Sequence, residues 1–487
     1  MSAAVLPEII QGGMGIAVSD WRLANAVSRC GQLGVVSGTA LDSVFVRRLQ
    51  DGDPGGHARR AMAHFPIAGV AERVQRRFFR EGGRAAGTAY ALLPMFRARV
   101  EAAREQLTML ANFVEVFLAK EGHEGPVGIN LLTKIQLPNL ASLYGAMLAG
   151  VDYVLMGAGI PREVPAALDA LASHRPAQLR LEVEAGAIGT PDWITFDPAR
   201  HLPSAPDLRR PAFLPIVASV SLATMLARKA TGRVDGFVVE GPTAGGHNAP
   251  PRGGLQLDDQ GQPVYGPRDV VDLAKLAELG LPFWLAGGTG SPQALRQARA
   301  SGAAGIQVGT LFAYCQESGL APELKRSVLD HAARGAVRVR TDPRASPTGF
   351  PFKVVSWSDD PARSGERQRI CDLGYLRVAY RTPEGRIGFR CAAEPVDSYV
   401  AKGGDPADAE GRRCLCNALM ANIGLPQLRE AGPEPPLLTS GDDLAGITGF
   451  LRGRTHYRAA DVIAFLQGAD GDSSGPAELA GAGVLEG

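Results

Sequence analysis

The histidine in Ala244-Gly245-Gly246-His247 is the residue best suited to move a proton here, because imidazole titrates close to neutrality and can take a proton from, or return one to, an acidic carbon. Its setting adds a second chemistry. The run Phe237-Val238-Val239-Glu240 leads into Gly241-Pro242-Thr243-Ala244-Gly245-Gly246, Phe283-Trp284-Leu285-Ala286 leads into Gly287-Gly288-Thr289-Gly290, and Gly305-Ile306-Gln307-Val308 leads into Gly309-Thr310. Three strand-like ends that offer bare backbone N–H groups make a cradle for phosphate, since any side chain larger than glycine would hold the backbone away from the phosphate oxygens. A third set of reactive residues is crowded late in the chain: Cys371, Cys391, Cys414 and Cys416, spaced by twenty, twenty-three and two positions. Soft thiolates at such spacings suit a metal or cluster, a redox pair at Cys414 and Cys416, or free buried thiols, and paired Cys-x-x-Cys knuckles are missing. The residues His57, His64, His123, His174, His201, His331 and His456 show no ligand spacing, so the reading assigns no metal site.

Elements that can position these residues follow from the alternation of short β-rich runs with helical stretches, the pattern of a parallel sheet with crossover helices. Nine candidate strands occur: 8–11, 33–37, 127–132, 153–156, 179–183, 213–218, 236–240, 283–286 and 305–308. Helical runs lie between them at 21–29, 140–149, 222–229, 270–279 and 292–300. A barrel closes with eight strands, so 179–183 is set aside as one arm of a hairpin with Trp193-Ile194-Thr195-Phe196. The reading is an α/β chain. A TIM (β/α)8 barrel spans 1–41 and 126–318, a mostly helical insertion 42–125 follows its second strand, an α-rich cap covers 319–467, and a disordered tail runs from 468 to 487. The 487 residues suit such a barrel of about 250 residues with large additions.

The five motifs Gln11-Gly12-Gly13-Met14-Gly15, Gly128-Ile129-Asn130-Leu131-Leu132, Ala244-Gly245-Gly246-His247, Ala286-Gly287-Gly288 and Gln307-Val308-Gly309-Thr310 occur in the order seen in the nitronate monooxygenase (2-nitropropane dioxygenase) family, which the chain resembles over about residues 5–355. The resemblance implies flavin mononucleotide (FMN) held in a TIM barrel and an oxidoreductase; a cytoplasmic location is expected separately, from an N-terminus without a basic region followed by a long apolar stretch. It implies that Gly13 and Met14 approach the flavin ring, that Asn130 hydrogen-bonds the cofactor, that Gly245, Gly246, Gly287, Gly288, Gly309 and Thr310 surround its phosphate, and that His247 is catalytic. The loop Asn248-Ala249-Pro250-Pro251-Arg252-Gly253 departs from the simplest family pattern, and Arg252 is placed either in solvent or against an anionic substrate or a dinucleotide phosphate.

Pro351-Phe352-Lys353-Val354-Val355, Cys371-Asp372-Leu373-Gly374-Tyr375 and Arg413-Cys414-Leu415-Cys416-Asn417 look similar to the flavin enoyl reductases that serve polyunsaturated-fatty-acid and polyketide synthases. That resemblance implies NAD(P)H as reductant and an acyl carrier protein as partner. The basic stretch Arg76-Arg77-Phe78-Phe79-Arg80 is then either a solvated helix face or a carrier-docking patch. A flavin-binding scaffold subunit is the non-enzymatic alternative, against which His247 argues. A net charge of +1 offers no attraction to nucleic acid or an anionic membrane, and no run of eighteen apolar residues occurs.

Overall fold

The computed structural model describes residues 6–184, 192–358 and 367–468. Eight parallel strands form one sheet: β1 (Ile9–Gln11), β2 (Gly34–Ser37), β3 (Val127–Leu132), β4 (Tyr153–Gly157), β5 (Ala212–Val217), β6 (Phe237–Glu240), β7 (Phe283–Ala286) and β8 (Gly305–Val308). β1 pairs with β8, and the sheet closes between β1 and β2, where Gln11 N donates to Leu33 O (3.0 Å) and Leu33 N to Ile9 O (3.1 Å). This is a TIM barrel.

The period of two along each strand sorts side chains into two cores. Ile10, Val35, Leu155, Leu214, Val238 and Trp284 fill the interior, whereas Ile9, Val36, Val154, Phe213, Phe237 and Ile306 face the ring of helices. By the same alternation Ser37, Asn130, Glu240 and Gln307 are the inward residues at or next to the C-terminal ends of β2, β3, β6 and β8, the end at which TIM barrels build their sites.

The helices start where side chains can cap them. Asp20 Oδ1 accepts from Arg22 N (2.9 Å) and Leu23 N (3.3 Å) at the start of Trp21–Arg29. Ser219 and Ser291 cap Val220–Lys229 and Pro292–Ala300 in the same way. The helix expected over 270–279 is shorter, Leu273–Ala277, because Asp272 caps it through Lys275 N (3.1 Å) and a 3-10 turn, Pro267–Asp269, precedes it.

Between β2 and β3 lie the helices Leu41–Gln50, His57–Met62, Val70–Phe78 and Ala102–Lys120. The last of these packs against both Trp21–Arg29 and Asn139–Leu148 and so takes a place in the barrel's outer ring. Val70–Phe78 buries Val70, Val74 and Phe78 and exposes Arg76 and Arg77, an amphipathic arrangement. Ala177–Leu181 pairs antiparallel with Asp192–Phe196, Leu179 opposite Ile194, which is the inserted hairpin.

The cap is helical at Pro322–Ala333, Val396–Ala401, Leu415–Asn422 and Ala459–Leu466. It also carries antiparallel ribbons, Arg338–Asp342 with Phe352–Ser356, Val378–Arg381 with Ile387–Arg390 and the short pair Leu428–Arg429 with Gly432–Pro433. The expected tail lies outside the described residues except for Gly468. Among the described residues no helix is long and apolar enough to cross a membrane.

Candidate functional site

A cavity of about 410 Å3 opens above the C-terminal ends of the barrel strands and is walled by both barrel loops and cap. Its floor begins with the loop after β1. A Cβ on Gly13 would lie 2.3 Å from Asn130 Cβ and 2.9 Å from Val35 Cγ1, so only glycine lets this loop lie flat across the barrel mouth. Asn130 Nδ2 donates to Gly13 O (3.0 Å). Ser19 Oγ pins the loop further, donating to Gly12 O (2.7 Å) and accepting from Met14 N (2.9 Å). Met14 then lies beside Gly309, where an added Cβ would be 3.5 Å from its sulfur.

The polar layer under this loop is unsaturated. Ser37 Oγ, Asn130 Oδ1 and Gln307 Oε1 are buried with no hydrogen-bond partner among the described residues. Buried polar atoms are paired in almost all folded proteins, so a group of three under one cavity marks a place where a polar ligand completes the bonding. The amides of Asn130 and Gln307 can each accept from, or donate to, the imide edge of a flavin.

The glycine cradle is present in modified form. Gly287 (φ +90°) and Gly288 (φ +69°) adopt a left-handed backbone, and a Cβ on Gly287 would meet Ala244 N at 2.9 Å. Among the described residues no protein acceptor takes the N–H groups of Gly287, Gly288 or Gly309. A cap segment, Thr439 to Asp443, crosses the rest. Gly246 N donates to Thr439 Oγ1 (2.9 Å), Gly441 N to Thr310 Oγ1 (3.1 Å) and Gly290 N to Asp443 Oδ2 (3.1 Å). A Cβ on Gly245 would lie 2.8 Å from Gly441 N. The N–H of Gly246 is therefore taken by the Thr439 hydroxyl oxygen, and the bareness of Gly245 seats the cap segment. Thr310, accepting from Gly441, keeps its hydroxyl hydrogen to donate.

His247 is held by the cap. Its Nε2 lies 2.7 Å from Ser346 Oγ, which is 2.8 Å from Thr348 Oγ1 and accepts from Thr348 N (3.2 Å). The ring stands edge-on to Phe352, centroids 4.9 Å apart. The backbone is clamped on both sides, Lys353 N donating to Gly246 O and Asn248 N to Pro351 O, each at 2.9 Å. Burial, reinforced by the nearby Lys134 ammonium, lowers the His247 pKa to about 4. The imidazole is neutral at pH 7.

Glu240 is the opposite case. It lines the same cavity, and burial raises its pKa to about 8, with no cation or hydrogen bond countering it. Neither it nor Gln307, Ser346, Lys134 or the Thr439–Asp443 segment was among the site residues expected from sequence. For Glu240 a usable signal existed, since it shares the parity of the interior residue Val238. Arg252 is exposed and its guanidinium reaches the carbonyl of Ala218 (3.3 Å), a residue of the cavity wall.

The four cysteines lie in the cap core as two neighbouring pairs, Cys371 with Cys391 and Cys414 with Cys416. The hydrogen bond to Cys391 and burial push the Cys371 thiol far up, and the bond to Cys414 with burial does the same to Cys416. Asn417 Nδ2 adds a contact to Cys414 Sγ (3.6 Å). All four are free thiols, and among the described residues no group of three or more potential ligands is placed to hold a metal ion.

No curated protein matches the chain in sequence. The solved structure of FabK from Thermotoga maritima is similar at 17% identity and a TM-score of 0.44, over 95% of this chain and 92% of that one. Nitroalkane oxidase from Streptomyces ansochromogenes is similar at 15% identity and a TM-score of 0.45, over 95% of both chains. The enoyl reductase domain of MlnA, from the macrolactin cluster of Bacillus amyloliquefaciens, is similar at 11% identity and a TM-score of 0.45, again over 95% of both. Residues 201–342, which carry β5 to β8, the glycine cradle and His247, match the model of the nitronate monooxygenase family, and the resemblance drawn from the ordered motifs holds over that segment.

Proposed function

We propose that the protein is a flavin-dependent oxidoreductase of the nitronate monooxygenase type that binds FMN and acts on a substrate whose reacting carbon exchanges a proton. The observation that carries this reading is one cavity in which unpartnered amide oxygens of Asn130 and Gln307, free N–H groups of Gly287, Gly288 and Gly309, and the imidazole of His247 face the same space. Asn130 and Gln307 would hold the ring edge, and the three glycines with Thr310 the phosphate. When bound, the flavin supplies two-electron redox chemistry, which no side chain here provides. His247, neutral at pH 7, takes a proton from the carbon beside a nitro group when a neutral nitroalkane is offered, and an alkyl nitronate needs no such step. Ser346 and Phe352 keep the ring in one orientation meanwhile.

A second reading, an NAD(P)H-dependent enoyl-thioester reductase of fatty-acid or polyketide biosynthesis, is favoured by two observations. Phe352, Tyr375, Leu415 and Cys416, from the motifs that carried the enoyl reductase resemblance, form part of the cavity wall. At neutral pH the cavity's proton sits on Glu240 rather than His247, which suits protonation of a carbon more than its deprotonation. An acyl carrier protein would deliver the substrate on this reading, with the exposed Arg76, Arg77 and Arg80 as a basic face for it.

Anaerobic titration of the purified yellow protein separates the two. Loss of flavin absorbance with NADPH or NADH selects the reductase, and loss with an alkyl nitronate alone selects the oxidase. A colourless protein that FMN cannot reconstitute refutes both.

A further inference from the structure

Glu240 is the last residue of β6 and, two positions after Val238, points into the barrel. Its neighbours in the sheet offer it nothing charged. Ala286 lies opposite it on β7, and Ile216, the inward residue of β5, is apolar. Across the barrel mouth the inward polar side chains of the strands are the neutral Ser37, Asn130 and Gln307, while the cavity wall also carries His247, with the Lys134 ammonium near it, and Asp443, Tyr375 and Cys416. Arg252 is turned to the Ala218 carbonyl and takes Asp269 on its own N–H (2.8 Å). The phenol of Tyr265, which donates to Ala249 O (3.0 Å), is the ionisable group that feels the Glu240 charge. A carboxylate in this setting would be a desolvated anion without a counter-ion, so the neutral acid is the stable form.

We propose that Glu240 is the proton donor of this cavity, giving its carboxyl proton to the substrate carbon. The role rests on the enoyl-reductase reading of the site. Once hydride has reached the β-carbon of an enoyl thioester, with NAD(P)H as the ultimate two-electron reductant, the α-carbon carries the electron pair of an enolate. The Glu240 O–H bond breaks, the α C–H bond forms with that pair, and the carboxylate left behind regains a proton from solvent. His247, anchored to Ser346, serves as a positioning and hydrogen-bonding group in this direction. The raised Glu240 pKa supports the assignment, because the acid form then persists at neutral pH.

The test uses the full-length protein and its Glu240→Gln variant, which keeps size and polarity. Infrared difference spectra recorded between pH 6 and 10 should show a protonated carboxyl band in the wild type that disappears around pH 8 and is missing in the variant. No such band refutes the proposal. With flavin bound and a 2-enoyl thioester as substrate, Glu240→Gln should lower turnover about 100-fold and remove the basic limb of the pH profile, with flavin occupancy and the rate of flavin reduction by NAD(P)H unchanged. A variant that turns over within twofold of wild type also refutes it. If the wild type oxidises nitronates and reduces no enoyl thioester, the functional reading falls and the donor role with it, while the infrared band separately reports whether the carboxyl holds its proton.

Discussion

Two regions of this molecule bury reactive side chains, and they do so to opposite effect. At the barrel mouth Ser37 Oγ, Asn130 Oδ1 and Gln307 Oε1 have no partner among the described residues, and Glu240 lines the cavity beside them. In the cap Cys371 and Cys391 engage each other, as do Cys414 and Cys416, and apolar residues such as Phe96, Leu373 and Leu425 belong to the same core. Burial alone therefore does not mark a functional residue. What separates these cysteines from the barrel-mouth oxygens is that each thiol has a neighbouring thiol, whereas the oxygens lack a partner among the described residues. The contrast is between these side chains and not between whole regions, because Asn417 Oδ1 and Arg429 Nη2 in the cap are also unpartnered. Cys416 touches both regions, because it lines the cavity while its free thiol neighbours that of Cys414.

The largest effect that would sharpen this contrast is expected at His247. His247→Ala should retain flavin and lose about 10²- to 10⁴-fold in turnover of a neutral carbon acid, read as kcat with occupancy checked by absorbance. Full activity in that variant would remove the imidazole from the chemistry. Gly287→Val should come next. Its Cβ would lie 2.9 Å from Ala244 N on a backbone at φ +90°, so the variant should purify without flavin or with much weakened binding, measured by equilibrium dialysis of FMN. Ser346→Ala removes the partner of His247 Nε2, a hydrogen bond of about 0.5–1.5 kcal/mol, and should cost about tenfold or less in activity. Loss of that hydrogen bond should shift the acid limb of the pH profile, down if the serine oxygen accepts from the protonated ring and up if its hydroxyl donates to the neutral one, and Ser346→Thr should restore it. An unchanged profile in Ser346→Ala would show that the hydroxyl only packs.

Stability against pH probes the barrel side without any substrate. Glu240 has a folded-state pKa of about 8, above the ordinary carboxyl value of about 4.3, so the folded state holds its proton where the unfolded chain has released it. Its contribution is full below the unfolded pKa and is lost as pH rises through about 8. Thermal melts of Glu240→Gln should accordingly lose less stability than wild type between pH 5 and 8, and identical slopes would mean the carboxyl is solvated. The smallest effect is expected in the cap. Cys371→Ser with Cys391→Ser should leave flavin content and turnover unchanged, with only a drop in melting temperature. Loss of activity at unchanged flavin content would place the thiols in the chemistry and erase the contrast between the two sets of side chains.

Most of the barrel was legible because each strand declares itself locally. The strands at 127–132, 283–286 and 305–308 and the helices at 21–29 and 292–300 appear at the expected residues, and the surplus ninth strand is a hairpin arm, at Ala177–Leu181 instead of 179–183, because Val183–Glu184 pairs with Val378–Arg381. Asn130, Met14 and His247 meet in one cavity, since strand order carries them to the same end of the barrel. The segment that seats Gly245 and Gly246 was not legible. It arrives from Thr439, 193 residues beyond the glycine it bonds, and nothing near the Gly-Gly-His motif announces it. Ser346 reaches His247 across 99 residues for the same reason.

The sequence by itself determined which residues stand at the barrel mouth, because strand period, glycine placement and capping residues are properties of short stretches read in order. Only the tertiary structure decided what those residues are chemically. Whether an imidazole is neutral, a carboxyl protonated, a glycine N–H free or a thiol satisfied depends on the water excluded and the partners brought in by distant segments, and desolvation is a property of the assembled enclosure rather than of any residue in it.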